Sequence, residues 1–421
     1  MLMGIRILLA VLTLTLVGCT KAIDLADYPV HRDSALEKFR RGDFRAAHEE
    51  LKAGAETLGP DRVLFLLDRA LILHAMGEYE RSNYLFREAE KLLEPISYEK
   101  PTELRSINTP NLWRKFYHGE EYESILANVY LSLNFSLLGR DDEAIHEIRK
   151  AEERLDRLRT SAKRAYATAP FFRFWPGILY ERQKNFLSSN QDYLLSLKEA
   201  GEAEGLVKMS LLRLAVRAQD QNRQSGLQAE LGLQERDLVR LHQELRDQGE
   251  VIVLLANDFI TLKEPHPEFS ELAYYREPKL KFLKAAVFID REEVGYTKKV
   301  FDVNALARAN FSAKLAQFQA DKAAGNPTGA IKRERMAEQD PNHRRYRGYD
   351  QVAKLTADLR QWATLPAEFQ AIRFPARPGI HRIELRMEEA DGRRGPFRDL
   401  GEVEIKRAGE IKVLSFRSRL E

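Results

Sequence analysis

The sequence predicts an α+β protein: a solenoid of stacked helical hairpins in the first half and a mixed, β-rich region in the second. Three observations carry this prediction. Turn motifs recur with small and large residues at fixed offsets around them. After Gly249 the apolar pattern changes from helical to strand-like. The composition, 44% hydrophobic and 31% charged, is that of a helix-leaning globular chain. A net charge of +3 over 421 residues indicates no general affinity for nucleic acid or acidic surfaces.

The first element is a secretion signal. Arg6 is followed by the apolar run Ile7-Leu8-Leu9-Ala10-Val11-Leu12-Thr13-Leu14-Thr15-Leu16-Val17, then by Gly18 and the only cysteine, Cys19. The run is too short to span a bilayer and reads as cleavable. Leu16-Val17-Gly18-Cys19 resembles the lipobox of bacterial lipoproteins. The resemblance implies that residues 1–18 are removed and that the Cys19 thiol carries acyl chains such as palmitate. Thr20, in place of the aspartate that retains such proteins at the inner membrane, implies export to the outer membrane, facing the periplasm. Acyl chains contribute about 0.8 kcal/mol per buried CH₂, so two or more make a stable anchor. An ordinary secretion signal with an incidental cysteine is the alternative. With the thiol acylated there is no disulfide, and core burial alone stabilises the fold.

The repeats follow. Gly42-Asp43-Phe44, Gly77-Glu78-Tyr79, Gly139-Arg140-Asp141 and the weaker Lys184-Asn185-Phe186 occupy equivalent turns. Seven residues before each turn lie the small residues Ala35, Ala70, Ser132 and Gly177. Five after it lie Ala47, Ser82, Ala144 and Ser189, again small. Nine after it come the large Leu51, Phe86, Ile148 and Tyr193, and twelve after it the small Gly54, Ala89, Ala151 and Ser196. Small residues let antiparallel helices approach, large ones fill the space between them, and a turn glycine ends the first helix. The pattern resembles the tetratricopeptide repeat, a thirty-four-residue helical hairpin, although the usual tryptophan is missing. An unrelated helical bundle is the alternative.

The stretch Ile96–Tyr122, with Pro101, Pro110, Trp113, Phe116 and Tyr117, interrupts the array, as a spacer packed back on it or as a cover for the concave face. Farther on, Leu206, Met209, Leu212 and Val216 share one helical face. Leu231, Leu238 and Leu245 recur every seven residues, and a capping helix explains them better than a coiled coil of two heptads.

From Glu250 strands are expected at Glu250–Leu255, Phe259–Leu262 and Lys284–Ile289, then a helix at Val303–Ala324. Further strands are expected at Ala371–Phe374, His381–Met387, Glu402–Lys406 and Ile411–Phe416, with turns at Gly379 and Gly409. Pro378-Gly379-Ile380-His381 resembles the small β-sandwich modules of envelope proteins. The order as a whole resembles a family of bacterial tetratricopeptide-repeat lipoproteins of uncharacterised activity. The residues that carry this resemblance are Leu137-Leu138-Gly139, Glu143-Ala144, Gly249–Leu255 and Asp358–Pro366. It implies the architecture and no particular activity.

The histidines show no metal-ligand spacing, no serine lies in a nucleophile elbow and no glycine loop cradles phosphate, so no catalytic residue, metal or cofactor is expected. Lys332, Arg333, Arg335, Arg344, Arg345 and Arg347 form a basic stretch, read as a solvated linker or as a face for anionic polymer or lipid headgroups. Trp362 reads as a core anchor. The expected division is a signal peptide over 1–18, a repeat domain over 19–248 and an α+β region over 249–421 that ends in a small β-sandwich-like module. The expected function is a lipid-anchored scaffold whose concave repeat face binds an unknown protein or peptide partner, with envelope assembly as the expected setting. The partner-binding residues are unknown. The alternative is a cell-wall polymer-binding enzyme, or an activator of an envelope enzyme.

Overall fold

Five helical hairpins and a closing helix lead to the first strand among the described residues, which in this computed structural model are 28–93, 117–161, 169–268, 272–323 and 357–418. Residues 1–18, Cys19, most of the 96–122 insertion and the basic stretch at 332–347 lie outside them. The first hairpin pairs α1 (Tyr28–Arg40) with α2 (Phe44–Glu50) and α3 (Lys52–Glu56), which Leu51 separates. The next three are α4 (Arg62–Ala75) with α5 (Tyr79–Leu93), α6 (Glu121–Leu137) with α7 (Asp141–Ser161), and α8 (Phe171–Arg182) with α9 (Phe186–Leu197). A fifth, α10 (Glu204–Arg217) with α11 (Gln221–Glu230), precedes α12 (Glu235–Asp247).

The sequence offsets turn out to be contacts. Gly42, Gly77 and Gly139 end their first helices at φ near +78°, and Lys184 (61°) and Gln219 (57°) occupy the same left-handed position. Asp43, Asn185 and Asp220 then cap the second helices, each accepting from a backbone N–H three residues on. The small residues at seven before and five after the turn touch directly. Ser82 Oγ donates to the Ala70 carbonyl (2.7 Å), Ser132 Oγ to that of Ala144 (2.6 Å) and Ser189 Oγ to that of Gly177 (2.8 Å). A Cβ on Gly177 would lie 2.7 Å from the Tyr193 ring, and one on Gly54 would lie 2.5 Å from Phe65 of the next hairpin. These are tetratricopeptide-like hairpins. The fifth was invisible as a repeat because Leu212 and Gln224 stand where small residues do in the others.

The strands build two four-stranded sheets. The first runs β10 (Ile411–Arg417), β1 (Gly249–Asn257), β7 (Glu368–Ala376), β6 (Lys298–Asp302). The second runs β5 (Glu292–Tyr296), β4 (Phe282–Ile289), β8 (Gly379–Glu389), β9 (Arg394–Ile405). A short ribbon, β2 (Lys263–Pro265) with β3 (Ala273–Tyr275), and a helix, α13 (Val303–Ala323), complete the described part. The sheets face each other through Val251, Val253 and Leu255 on one side and Val287, Ile383 and Leu385 on the other. All of β1 is buried, which explains its unbroken apolar run: the other face, with Ile252, Leu254 and Ala256, belongs to the helical core. The sandwich is therefore no separate closing module, because β1 and β4 pair with β7, β8 and β10.

Phe259–Leu262, expected as a strand, is a loop. Phe259 and Ile260 are buried, but the Ile260 N–H goes to the Leu365 carbonyl and that of Thr261 to Asn304 Oδ1, so apolar character here serves burial and no ladder. β5, β6 and the first half of β9 were missed because Glu, Lys and Arg dominate their exposed faces.

Candidate partner-binding surface

In a stack of hairpins the first helices line the inner side. Here the first sheet covers that side. Phe369 on β7 stacks on Phe171 of α8 (5.7 Å) and lies 5.8 Å from Tyr130 of α6, while Phe301 on β6 packs on Phe172 (5.1 Å). Trp362, fully buried, sits against Phe86 and Tyr130, as its reading as a core anchor required.

A polar lock crosses this apolar contact. Arg373 of β7 donates from Nη1 and Nη2 to the two oxygens of Glu181 on α8 (2.8 and 2.9 Å). It also donates from Nε and Nη2 to Glu250 on β1 (3.0 and 2.6 Å). Arg213 and Arg217 of α10 reach Glu250 at 2.8 and 2.5 Å, Arg217 also reaches Glu181, and the Tyr193 hydroxyl donates to Glu181 (2.8 Å). Burial alone would raise both carboxyls, but Arg373 and its neighbours outweigh it and hold them below the usual carboxylate range. The side chains of Arg373, Glu181 and Glu250 are essentially without solvent contact.

The segment before β7 makes a second polar seam. Asp68 of α4 accepts from Tyr28 Oη (2.7 Å) and from the Thr364 N–H and hydroxyl (2.9 and 2.8 Å). Glu123 of α6 accepts the Trp362 N–H (2.6 Å), the Tyr117 hydroxyl (2.8 Å) and the Glu120 N–H (2.9 Å). Burial, opposed by Lys263 and reinforced by Glu120, pushes the Glu123 carboxyl up to about 7. Glu120 in turn holds Lys263 (2.5 Å) and Asn310 (3.0 Å).

The concave face expected to receive a partner is thus occupied by the chain's own β domain, and the outer helices remain. Tyr84 on α5 and Leu187 and Leu194 on α9 are exposed there. Between α2–α3 and α5, with α4 as its floor, runs a cleft of about 610 Å³. Arg62, Leu66, Arg69 and Leu73 form one stripe of α4, on the opposite side of the helix from Asp68. His48 and Ala55 wall one side, Arg81, Tyr84 and Leu85 the other. Arg69 Nη2 donates to His48 Nε2 (2.9 Å), and burial first, then Arg69, lowers the His48 pKa to about 4. No group of three or more His, Cys, Asp or Glu side chains that could hold a metal exists among the described residues. No described helix is long and apolar enough to cross a membrane.

Sequence reading missed these buried charges. A signal was present in their setting. Arg373 alternates with Phe369 and Ala371, Glu250 with Ile252 and Leu254, and Arg69 interrupts the apolar run Val63–Leu73. A charge on an otherwise apolar face points to a buried partner or to a binding role.

No protein-family model and no curated protein matches the chain. Solved structures that share part of its shape include MamA 41-end from Desulfovibrio magneticus RS-1, at 15% identity and a TM-score of 0.35, over 51% of this chain and 97% of that one. A tetratricopeptide repeat protein from Parabacteroides merdae ATCC 43184 shares 14% identity at a TM-score of 0.34, over 51% and 70%. The apo form of RapI shares 11% at 0.37, over 50% and 56%.

Proposed function

We propose that this chain is a lipid-anchored, non-catalytic adaptor of the bacterial outer membrane, facing the periplasm, that holds a protein partner on the outer surface of its helical repeats. The observation that carries the reading is the sealed inner face. A repeat array that spends its groove on its own β sandwich becomes one rigid body, and its remaining contact surfaces are the second helices of the hairpins and the grooves between them. The anchor rests on the Leu16–Cys19 motif. Crosslinking with mass spectrometry on intact cells tests the adaptor role, with crosslinks expected from residues 44–93 and 186–197 to one recurrent protein. Crosslinks confined to the sandwich, or none, would refute it. Cys19→Ser is expected to move the protein from the membrane to the soluble fraction; a variant that stays with the membrane would refute the anchor.

A further inference from the structure

The cleft above α4 holds a guanidinium that no carboxylate of the described residues contacts directly, although Glu56 and Glu49 attract it from farther off. Arg69 is 6% exposed, yet it forms no ion pair among the described residues, and its Nε has no hydrogen-bond acceptor. Arg373, by contrast, is held by two carboxylates. A guanidinium does not give up its proton in a protein, so Arg69 bears a cost of burial that the distant Glu56 and Glu49 offset only in part. His48 does not relieve it. Arg69 can only donate, so His48 Nε2 accepts; the ring is then neutral with its proton on Nδ1, and that atom is also buried without a partner. Two N–H groups, one on the cation at the floor of the cleft and one on its His48 wall, thus have no hydrogen-bond acceptor.

We propose that the cleft binds an extended peptide segment of a protein partner, with one carboxylate of that segment received by Arg69. The proposal deepens the adaptor reading and rests on it. The stripe from Arg62 to Leu73 spans about 16 Å at 1.5 Å per residue, the length of roughly five extended residues. That length fits a peptide better than a free ion. Leu66, Leu73, Leu85 and Tyr84 offer apolar contact to the side chains flanking the carboxylate. Glu56, Glu80 and Glu88 on the walls repel further acidic residues, so the segment carries a single acid among apolar neighbours and no acidic run. With Nη2 turned to His48 and Nε enclosed, a carboxylate oxygen would be received by the remaining N–H groups of the guanidinium.

The test uses the full mature chain and two pools of fluorescein-labelled pentapeptides with random apolar flanks, one with a central aspartate or glutamate, the other with asparagine or glutamine. The acidic pool is expected to bind at least tenfold more tightly than the amide pool. That preference should vanish in Arg69→Met and persist in part in Arg69→Lys. The unliganded Arg69→Met protein is expected to melt a few degrees above the wild type, because a buried charge with no carboxylate in contact is gone. Equal binding of the pools, or a preference that survives Arg69→Met, would overturn the proposal. So would a lowered melting temperature in Arg69→Met, which would make Arg69 a structural residue. Crosslinking in cells separates the two readings. A partner still captured on the outer helices by Arg69→Met, with no pool preference, sinks the cleft and spares the adaptor. An Arg69-dependent preference with no partner captured sinks the adaptor and spares the cleft chemistry.

Discussion

Replacing Arg373 by methionine removes four hydrogen bonds to carboxylates, and a longer one to the Tyr193 hydroxyl, at the seam between array and sandwich. Bonds of that kind contribute about 1.5–3 kcal/mol apiece when taken singly, but they do not add here. Glu250 keeps Arg213 and Arg217, and Glu181 keeps Arg217 and Tyr193. Methionine also spares the burial of a guanidinium, and the site passes from three arginines against two glutamates to an even match. Breaking a buried ion pair by deleting one partner costs about 3–5 kcal/mol, and these compensations put the expected loss near the lower end, ~3 kcal/mol. The amides of β1 and β7 report it through native-state hydrogen exchange, which does not require the whole chain to unfold in one step. Arg382→Met, which breaks the exposed pair with Asp399, serves as the comparison and is expected to leave the exchange of these amides unchanged. The loss also has a pH signature. Both glutamates are held below their unfolded values, so their stabilisation is complete above the usual carboxylate range and fades as pH falls below it. The gap between wild type and Arg373→Met should therefore be widest near neutrality and narrow in acid. A loss below about 1 kcal/mol, or a gap unchanged down to the acid transition, would refute the view that this cluster locks the two halves together.

Glu123→Gln tests the second seam: the folded carboxyl titrates at about 7, above its unfolded value, so its stabilising effect is complete in acid and is lost as pH rises through neutrality. Relative to the wild type, the variant should gain up to about 1.4 kcal/mol per pH unit between pH 5 and 7 in urea titrations, and a flat difference would refute the assignment. Ser132→Ala leaves the Trp175 indole N–H (2.9 Å from Ser132 Oγ) without its acceptor, whereas Ser189→Ala removes only a bond to the Gly177 carbonyl. The first should cost about 1–3 kcal/mol and the second about 1 kcal/mol, and the reverse order in thermal melts would show that the indole has another acceptor. Gly177→Ala should destabilise by about 1–3 kcal/mol despite the better helix propensity of alanine, because its Cβ meets the Tyr193 ring; a raised melting temperature would refute that contact.

What the sequence revealed and what it hid divide along contact distance. The hairpins were legible because their determinants are local. The turn residue, the small pair seven before and five after it, and the large residue nine after it all lie within one repeat. The offsets mark where the helices approach most closely, close enough for Ser82 to bond the Ala70 carbonyl. The strands with continuous or alternating apolar faces, β1, β4 and β8, were legible for the same reason. The cover over the inner face was not. It depends on Arg373 finding Glu181 and Glu250, on Thr364 finding Asp68, and on Trp362 finding Glu123, partners far apart in the chain whose meeting no spacing rule encodes. Each of these charged residues, taken alone, looks like solvated surface. The Arg69–His48 cleft was hidden by the same ambiguity, since an arginine within a helix reads as exposed until the packing around it is known.

The parallel pairing of β10 beside β1 fixes an order of events during synthesis. β1 directly follows the array, but its neighbour on one side arrives only with residues 411–417, and that strand also delivers Arg417, which hydrogen-bonds the carbonyls of Ala256, Thr364 and Leu365. A chain emerging N-terminus first from the ribosome therefore presents several finished hairpins with an uncovered apolar wall before the strand that completes the cover is made. The apolar wall of the array and the strand that completes its cover are thus separated by more than 150 residues of chain, and loss of residues 411–417 would leave one edge of β1 unpaired.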